Sequence, residues 1–230
     1  MTTRALGSDL SLHHSRSDAD LGRQSQKDAA VGSSIRPQDS DTEPDPHGPP
    51  RLPPVERPRG VFMRLLYWSA RRRYGKTPTA FRVIYARAPA LLIVTMAALT
   101  VLERFLKVPA RVRALVQFAI ATAHGCTFCA DISLAEAMRS RVGAERFKHL
   151  DEFETHPAFD EAERAAIAYA KALARDRVVP AHLFERLAQS YSEREIVEIV
   201  WLGGLESYFN AMAMPLSIGS DHLAAAQQNS

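Results

Sequence analysis

Two cysteines, Cys126 and Cys129, lie in a C-x-x-C spacing where an apolar run, residues 113–123, meets Gly125. The run is apolar on most faces, which predicts a buried helix, and the glycine allows a sharp turn after it. A second helical pattern follows, so we expect the cysteines in the first turn of that helix. Unpaired backbone N–H groups and the helix dipole favour a thiolate there, and thiolates attack peroxides and disulfides. If the pair is redox-active, the second sulfur captures the oxidised first one as a disulfide.

Other interpretations of this pair remain open from the pattern alone. Two cysteines on a helix can be small core residues. A zinc site needs four ligands, and only His124 is an obvious third. A haem-attachment motif needs a histidine where Ala130 stands. A purely structural disulfide is disfavoured because so short a loop adds little chain constraint. We therefore expect neither a metal nor another cofactor.

The composition restricts the class of protein. The chain has 230 residues, of which 46% are hydrophobic, and its net charge is +3. A sequence pI of about 9.0 is no signature of nucleic-acid binding on its own. With 2 cysteines, the chain is not a disulfide-stapled secreted scaffold. The N-terminus lacks the apolar region of a signal peptide, so the cytoplasm is the expected compartment.

The longest apolar run, residues 88–102, is broken by Pro89 and two threonines. A membrane-spanning helix needs about 20 apolar residues. We therefore interpret the run as a buried core helix, with a membrane anchor as the less favoured alternative, and we expect no membrane partner.

The chain divides into a tail and one domain. Residues 1–60 are rich in Ser, Asp, Gly, Gln and Pro, and they have almost no aromatic or branched apolar residues. Such a stretch cannot bury enough surface to offset the entropy of ordering, so we predict a disordered tail. Residues 61–225 show helical patterns, with capping boxes at residues 160–163 and 192–195, and no alternating strand pattern. We expect a compact all-α domain there.

Several segments of the sequence together match the pattern of a known protein family. An apolar helix leads into residues 125–129, and another helix follows them. Downstream lie residues 163–170, residues 191–198, and Asn210 before a Met-Pro-Leu-Ser-Ile-Gly tail. Over residues 63–223 the chain resembles the carboxymuconolactone decarboxylase and alkylhydroperoxidase D family. The resemblance implies a helical domain that assembles as a homo-oligomer.

The resemblance also implies roles for individual residues. In family members with peroxidase activity, the second cysteine attacks the hydroperoxide and the first resolves the product, which gives these roles to Cys129 and Cys126. A histidine and a glutamate complete the relay in those proteins. Here Ser133 occupies the histidine position and Ala114 the glutamate position. The Ser133 hydroxyl can hydrogen-bond a thiolate, but it cannot act as a base near neutral pH.

With both supporting residues replaced, thiolate formation rests on the helix start and on two neighbours of the cysteines. His124 lies just before the turn and is a candidate helper, but the interpretation we favour is an ordinary loop or helix-end histidine. We interpret Asp131 as a solvated acid in the first turn of the helix, where its charge complements the dipole.

Three functions follow as hypotheses. The first is a thiol-dependent peroxidase with a hydroperoxide substrate and a dithiol reductant as partners. The second is a degenerate family member without redox catalysis, in accord with Ser133 and Ala114. The third is a lyase of the carboxymuconolactone decarboxylase type, which does not need the cysteine pair.

Overall fold

The computed structural model describes residues 48–139 and 144–228, and these residues are helical with no strand. This confirms the all-α fold. The α-helices are α1 Val61–Tyr74, α2 Pro89–Leu102, α3 Ala110–Ala123, α4 Thr127–Arg139, α5 Glu145–Lys148, α6 Glu161–Asp176, α7 Ala181–Ala188, α8 Glu193–Ala213 and α9 Leu223–Gln228. A π-helical turn at Phe81–Tyr85 and 3₁₀ turns at Leu150–Glu152 and Met214–Leu216 connect them.

Helix α3 lies at the centre of the core and packs against α4, α6 and α8. Its side chains are buried on most faces, as its sequence predicts, and several of them are small alanines. Helix α8 approaches closely at Gly203, where an added Cβ would lie 2.7 Å from Leu173 Cδ2 and 3.0 Å from Ile120 Cδ1. An alanine at this position would therefore require the Leu173 side chain to move.

Both predicted capping boxes are present. Asp160 accepts a hydrogen bond from the Glu163 N–H at 2.8 Å, and the Glu163 side chain accepts one from the Asp160 N–H at 3.0 Å. Ser192 and Glu195 make the same reciprocal pair at the start of α8. These bonds satisfy N–H groups that no intrahelical carbonyl can reach, and so they fix where α6 and α8 begin.

A buried carboxylate on α8 holds the chain that enters α3. Glu198 accepts hydrogen bonds from the backbone N–H groups of Lys107, at 2.7 Å, and Val108, at 2.9 Å. Burial raises the pKa of the Glu198 carboxyl, but these donors and Arg194 outweigh burial and lower it overall. Glu198 is therefore an ionised anchor for the chain just before α3.

The prediction of a buried core helix at residues 88–102 is wrong. Helix α2 covers this run, but Leu92 is its one buried residue. Val94 is 68% exposed, and further large apolar side chains are exposed along the helix and just after it: Leu91, Ile93, Met96, Val101, Leu102 and Phe105. Hydrophobicity on all faces predicted burial, but few of the residues that the structure describes pack over this helix. Within the described ranges, no helix is both long enough and apolar enough to cross a membrane.

Residues 48–60 contain no regular element, yet they have partners on the helical domain. The Arg51 N–H donates to the Leu216 carbonyl, and the Val55 N–H donates to the Arg82 carbonyl, each at 3.0 Å. The Tyr67 hydroxyl donates to the Val55 carbonyl at 2.8 Å. The rest of the predicted tail, residues 1–47, lies outside the described residues. The disordered tail therefore stays a prediction.

Candidate functional site

The cysteine pair lies at the start of α4, as the sequence predicts. Gly125 has a φ of 73°, a left-handed conformation that glycine adopts without strain, and it reverses the chain after α3. The Cys126 N–H then donates to the Ala121 carbonyl at 2.9 Å, which ties the turn to the end of α3. Cys126 precedes the first residue of α4, and Cys129 lies in its first turn.

The two sulfurs form a disulfide, with Cα atoms 5.3 Å apart. The backbone N–H of Cys129 donates to Cys126 Sγ at 3.3 Å. Cys126 thus takes the place that a capping side chain takes at other helix starts, since its sulfur accepts from the N–H three residues on. A negative charge on Cys126 would be stabilised by this bond and by the helix dipole.

Both sulfurs are enclosed. Cys126 is 1% exposed and Cys129 is 3% exposed, and both belong to the main apolar core together with Phe128 and Ala130. Their half-buried neighbours are Gly125 and Thr127. A substrate or reductant can therefore reach the pair only if the packing around the sulfurs opens locally.

His124 is fixed by two other helices. Its Nε2 lies 3.1 Å from the Ala174 carbonyl on α6, and its Nδ1 lies 2.8 Å from the Asn210 amide on α8. Since both ring nitrogens have partners, neither is free to serve as the third zinc ligand that the sequence suggested. The histidine is at the end of α3, as one interpretation predicted, but it is also the end of a buried polar chain.

That chain continues to Glu206, one helical turn before Asn210 on α8. Glu206 is 4% exposed and Asn210 is 2% exposed. Burial raises the pKa of the Glu206 carboxyl to about 8, so at neutral pH it is largely the neutral acid. Sequence reasoning missed Glu206, and it used Asn210 only as a feature of the family resemblance and not as a site residue. The available signal was a glutamate within the apolar stretch of α8, four residues before an asparagine.

The remaining sequence candidates have different positions. Ser133 is half-buried one turn after Cys129, and the hydrogen bonds of the described residues include none between Ser133 and either sulfur. Ala114 is half-buried on α3 and packs against the core. The structure therefore provides no acid or base at either of these two positions.

Asp131 is not a solvated first-turn acid. Its carboxylate accepts hydrogen bonds from the backbone N–H groups of Asp221, at 3.0 Å, Leu223, at 2.9 Å, and Ala224, at 3.0 Å. Asp131 therefore caps the start of α9, a role beyond the predicted one of complementing the dipole of its own helix. The interpretation failed because those partners lie about ninety residues further along the chain.

Two other polar features lie outside the cysteine region. A basic concavity beside α1 has a volume of about 670 Å³ and is lined by Arg57, Arg64, Arg71 and Trp68, among others. His149, Glu152 and His156 place potential metal-ligand atoms within 4.8 Å of one another. However, His156 Nδ1 accepts the Ala158 N–H at 3.2 Å, which in a neutral ring leaves the proton on Nε2 and no lone pair for a metal.

Residues 89–172 match the model of the Carboxymuconolactone decarboxylase family. This segment includes α2, α3, α4 and most of α6, and therefore both cysteines. No curated protein matches the chain.

Solved structures share the fold. A cysteine-to-alanine variant of the debrominase Bmp8 in complex with 2,3,4-tribromopyrrole has a TM-score of 0.65 at 20% identity, over 77% of this chain and 95% of that one. A putative antioxidant defence protein AhpD from Agrobacterium tumefaciens has a TM-score of 0.54 at 23% identity, over 60% and 97% of the two chains. An uncharacterised peroxidase-related protein from Ralstonia eutropha, described as an alkylhydroperoxidase AhpD core, has a TM-score of 0.60 at 15% identity, over 81% and 98%.

Proposed function

Because the chain belongs to the carboxymuconolactone decarboxylase family, with its C-x-x-C pair inside the matched segment, we propose that it is a thiol-dependent peroxidase that reduces hydroperoxides. The observation that carries this proposal is the Cys126–Cys129 disulfide at the start of α4. A C-x-x-C pair that forms a disulfide within the folded domain can cycle between dithiol and disulfide without refolding.

The reaction is a two-electron exchange. The Cys129 thiolate attacks the distal oxygen of the hydroperoxide, the O–O bond breaks, and the alkoxide takes a proton and leaves as the alcohol. Cys126 then attacks the resulting sulfenic acid, forming the disulfide and releasing water. A dithiol reductant returns both electrons by attacking Cys129, and Cys126 leaves as the thiolate that the Cys129 N–H stabilises.

We infer that Ser133 and His124 assist at this site in place of the histidine and glutamate relay. Ser133 lies one turn after Cys129 and can donate a hydrogen bond to its thiolate once the disulfide opens. His124 lies two residues before Cys126 and is held rigidly by Asn210. Loss of a general base typically costs about a hundred- to ten-thousand-fold, so we expect slower turnover than in a protein with the full relay.

The partners and compartment of this proposal are a small hydroperoxide, a dithiol reductant and the cytoplasm, where thiols are kept reduced. We also propose that the chain assembles as a homo-oligomer. The apolar side chains that α2 exposes support assembly, because clusters of exposed large apolar side chains often mark interaction surfaces.

The decisive experiment adds a stoichiometric hydroperoxide to the reduced protein and counts free thiols over time. We expect both thiols to disappear together as the disulfide forms, and Cys129→Ser to abolish the loss. If both thiols persist, the protein is a family member without redox catalysis. If Cys129→Ser leaves turnover unchanged, Cys129 is not the attacking residue.

A second substrate class follows from the similarity to the debrominase Bmp8. An organic bromide can accept the same two electrons. The pair would form its disulfide while the carbon–bromine bond is replaced by carbon–hydrogen, with bromide released. Incubating the reduced protein with 2,3,4-tribromopyrrole and measuring bromide separates this acceptor from a hydroperoxide. Bromide release without peroxide consumption would replace the peroxidase proposal.

A further inference from the structure

Three side chains from two helices form a closed polar chain inside the apolar core. Glu206 and Asn210 lie on one face of α8, and His124 ends α3. The Asn210 amide lies between the other two, with one of its atoms 2.8 Å from His124 Nδ1 and the other 2.9 Å from Glu206 Oε1. Such a buried chain is stable only if every donor faces an acceptor.

The first constraint comes from His124 Nε2. It lies 3.1 Å from the Ala174 carbonyl, which can only accept, so Nε2 carries a proton. Nδ1 is then an acceptor if the ring is neutral, or a donor if the ring is an imidazolium.

Each choice at Nδ1 fixes the rest of the chain. With a neutral ring, the Asn210 NH₂ donates to Nδ1, and the Asn210 oxygen must accept a proton from a neutral Glu206 acid. With an imidazolium, Nδ1–H donates to the Asn210 oxygen, and the turned amide donates to a Glu206 carboxylate. Both arrangements give each side chain a partner and contain the same number of protons, but the neutral one leaves the Asn210 oxygen 3.2 Å from the Glu206 backbone carbonyl, which only the turned amide can bond. Mixed arrangements set two acceptors or two donors against each other.

The neutral arrangement is the resting one. Burial is the cause that raises the pKa of the Glu206 carboxyl to about 8, with no neighbouring charge among the causes, so the acid keeps its proton at neutral pH. The ionic arrangement places a positive charge on His124 and a negative charge on Glu206. A new negative charge beside His124 would therefore favour it.

The cysteine pair can supply that charge. His124 is two residues before Cys126, so their Cα atoms lie within about 7 Å. The Cys126 N–H bond to Ala121 holds both residues in one turn. When the disulfide is reduced and Cys126 becomes a thiolate, a negative charge therefore appears two residues from His124.

We propose that Glu206, Asn210 and His124 form a proton store coupled to the redox state of the cysteine pair. On reduction, the disulfide accepts two electrons from the dithiol, its S–S bond breaks, and a thiolate forms at Cys126. The Glu206 proton is then replaced by a proton at His124 Nδ1 as the amide turns, so the chain becomes ionic with no net gain of protons. Glu206 and Asn210 are positioning residues, since they act through His124. This inference rests on the proposed redox function only in requiring a reducible pair.

Infrared difference spectroscopy of the full chain, oxidised against reduced with dithiothreitol, tests the proposal directly. We expect reduction to remove a protonated-carboxyl C=O band and to add carboxylate bands, and Glu206→Gln to abolish both changes. ¹⁵N NMR of the His124 ring should report one protonated nitrogen in the oxidised protein and two in the reduced protein. An unchanged carboxyl band with an unchanged His124 ring would overturn the proposal.

Glu198→Gln is the matched control, because Glu198 is a second enclosed glutamate of the same helix whose partners are Lys107, Val108 and Arg194. Glu206→Gln should shift the dithiothreitol equilibrium about three- to tenfold towards the disulfide, and Glu198→Gln should not. Equal shifts in both variants would show a general effect of helix α8 and would overturn the coupling. Since no hydroperoxide is used, failure of the peroxidase proposal leaves these measurements interpretable.

Discussion

The backbone N–H of Cys129 donates to Cys126 Sγ at 3.3 Å, so once the disulfide opens the helix start would stabilise a negative charge on the first cysteine of the pair. The family resemblance gives attack on the hydroperoxide to the second cysteine. The two assignments are compatible if Cys126 is chiefly the thiolate that leaves when the reductant opens the disulfide. The reactivity of each cysteine, measured in a variant that lacks the other, tests this.

We expect the reduced Cys129→Ser variant, which retains Cys126, to be alkylated by iodoacetamide about two- to tenfold faster at pH 6 than Cys126→Ser, which retains Cys129. One net hydrogen bond to the thiolate accounts for a difference of this size. Measurement in urea is the control, because unfolding removes the bond and should equalise the two rates. Faster alkylation of Cys129 in the folded protein would contradict the assignment.

Gly203 and Gly204 provide a matched pair for the core packing. Gly203→Ala places a methyl group 2.7 Å from Leu173 Cδ2, so we expect it to destabilise the protein by about 1–3 kcal/mol. An added Cβ at Gly204 meets nothing within 4 Å, so Gly204→Ala should stabilise α8 by about 0.5–1 kcal/mol. Urea unfolding measures both, and the same sign for both variants would contradict the packing account.

The pKa of Glu206 gives a stability prediction with a definite sign. Burial raises the carboxyl pKa from 4.5 to about 8, so between these pH values the folded state holds a proton that the unfolded state has lost. The contribution of the Glu206 carboxyl to the free energy of unfolding is fully present below pH 4.5. It falls as the pH rises towards 8, by about 1.4 kcal/mol per pH unit at most.

Glu206→Gln removes this titration. Urea unfolding from pH 5 to pH 8 should therefore show wild-type losing stability relative to the variant. Parallel stability curves for the two proteins would show that Glu206 is ionised throughout, and they would contradict the raised pKa.

The sequence predicted the local features and missed the long-range ones. The capping boxes, the Gly125 turn and the cysteine helix follow from residues within one or two turns of each other, and all are present. The Asn210–His124 contact joins residues 86 positions apart. Nothing in the local pattern of either residue indicates the other, so the relay-like chain became visible only with the packing of α3 against α8.

Asp131 illustrates the same limit and carries a prediction. The sequence places it in the first turn of α4, but its partners are the backbone N–H groups at the start of α9. Asp131→Ala leaves these donors unpaired, so we expect a loss of about 2–3 kcal/mol and release of the C-terminal helix. Asp151→Ala, at an exposed acid that pairs with Lys171, is the control and should change stability by less than about 0.5 kcal/mol. Limited proteolysis should cut the Asp131 variant near residue 221, and equal resistance of both variants would contradict the capping role.

Helix α2 carries the last prediction, which concerns assembly. Val94 is 68% exposed among other apolar side chains, whereas Val178 is 74% exposed in the loop between α6 and α7. If α2 is the surface through which copies of the chain associate, Val94→Glu buries an unpaired charge in that interface and should shift the oligomer to monomer. Val178→Glu adds the same charge elsewhere and should leave the mass unchanged. Light scattering after gel filtration measures both. A Val94→Glu protein with the wild-type oligomeric mass would exclude α2 from the interface, and a monomeric wild-type protein would end the proposal of assembly.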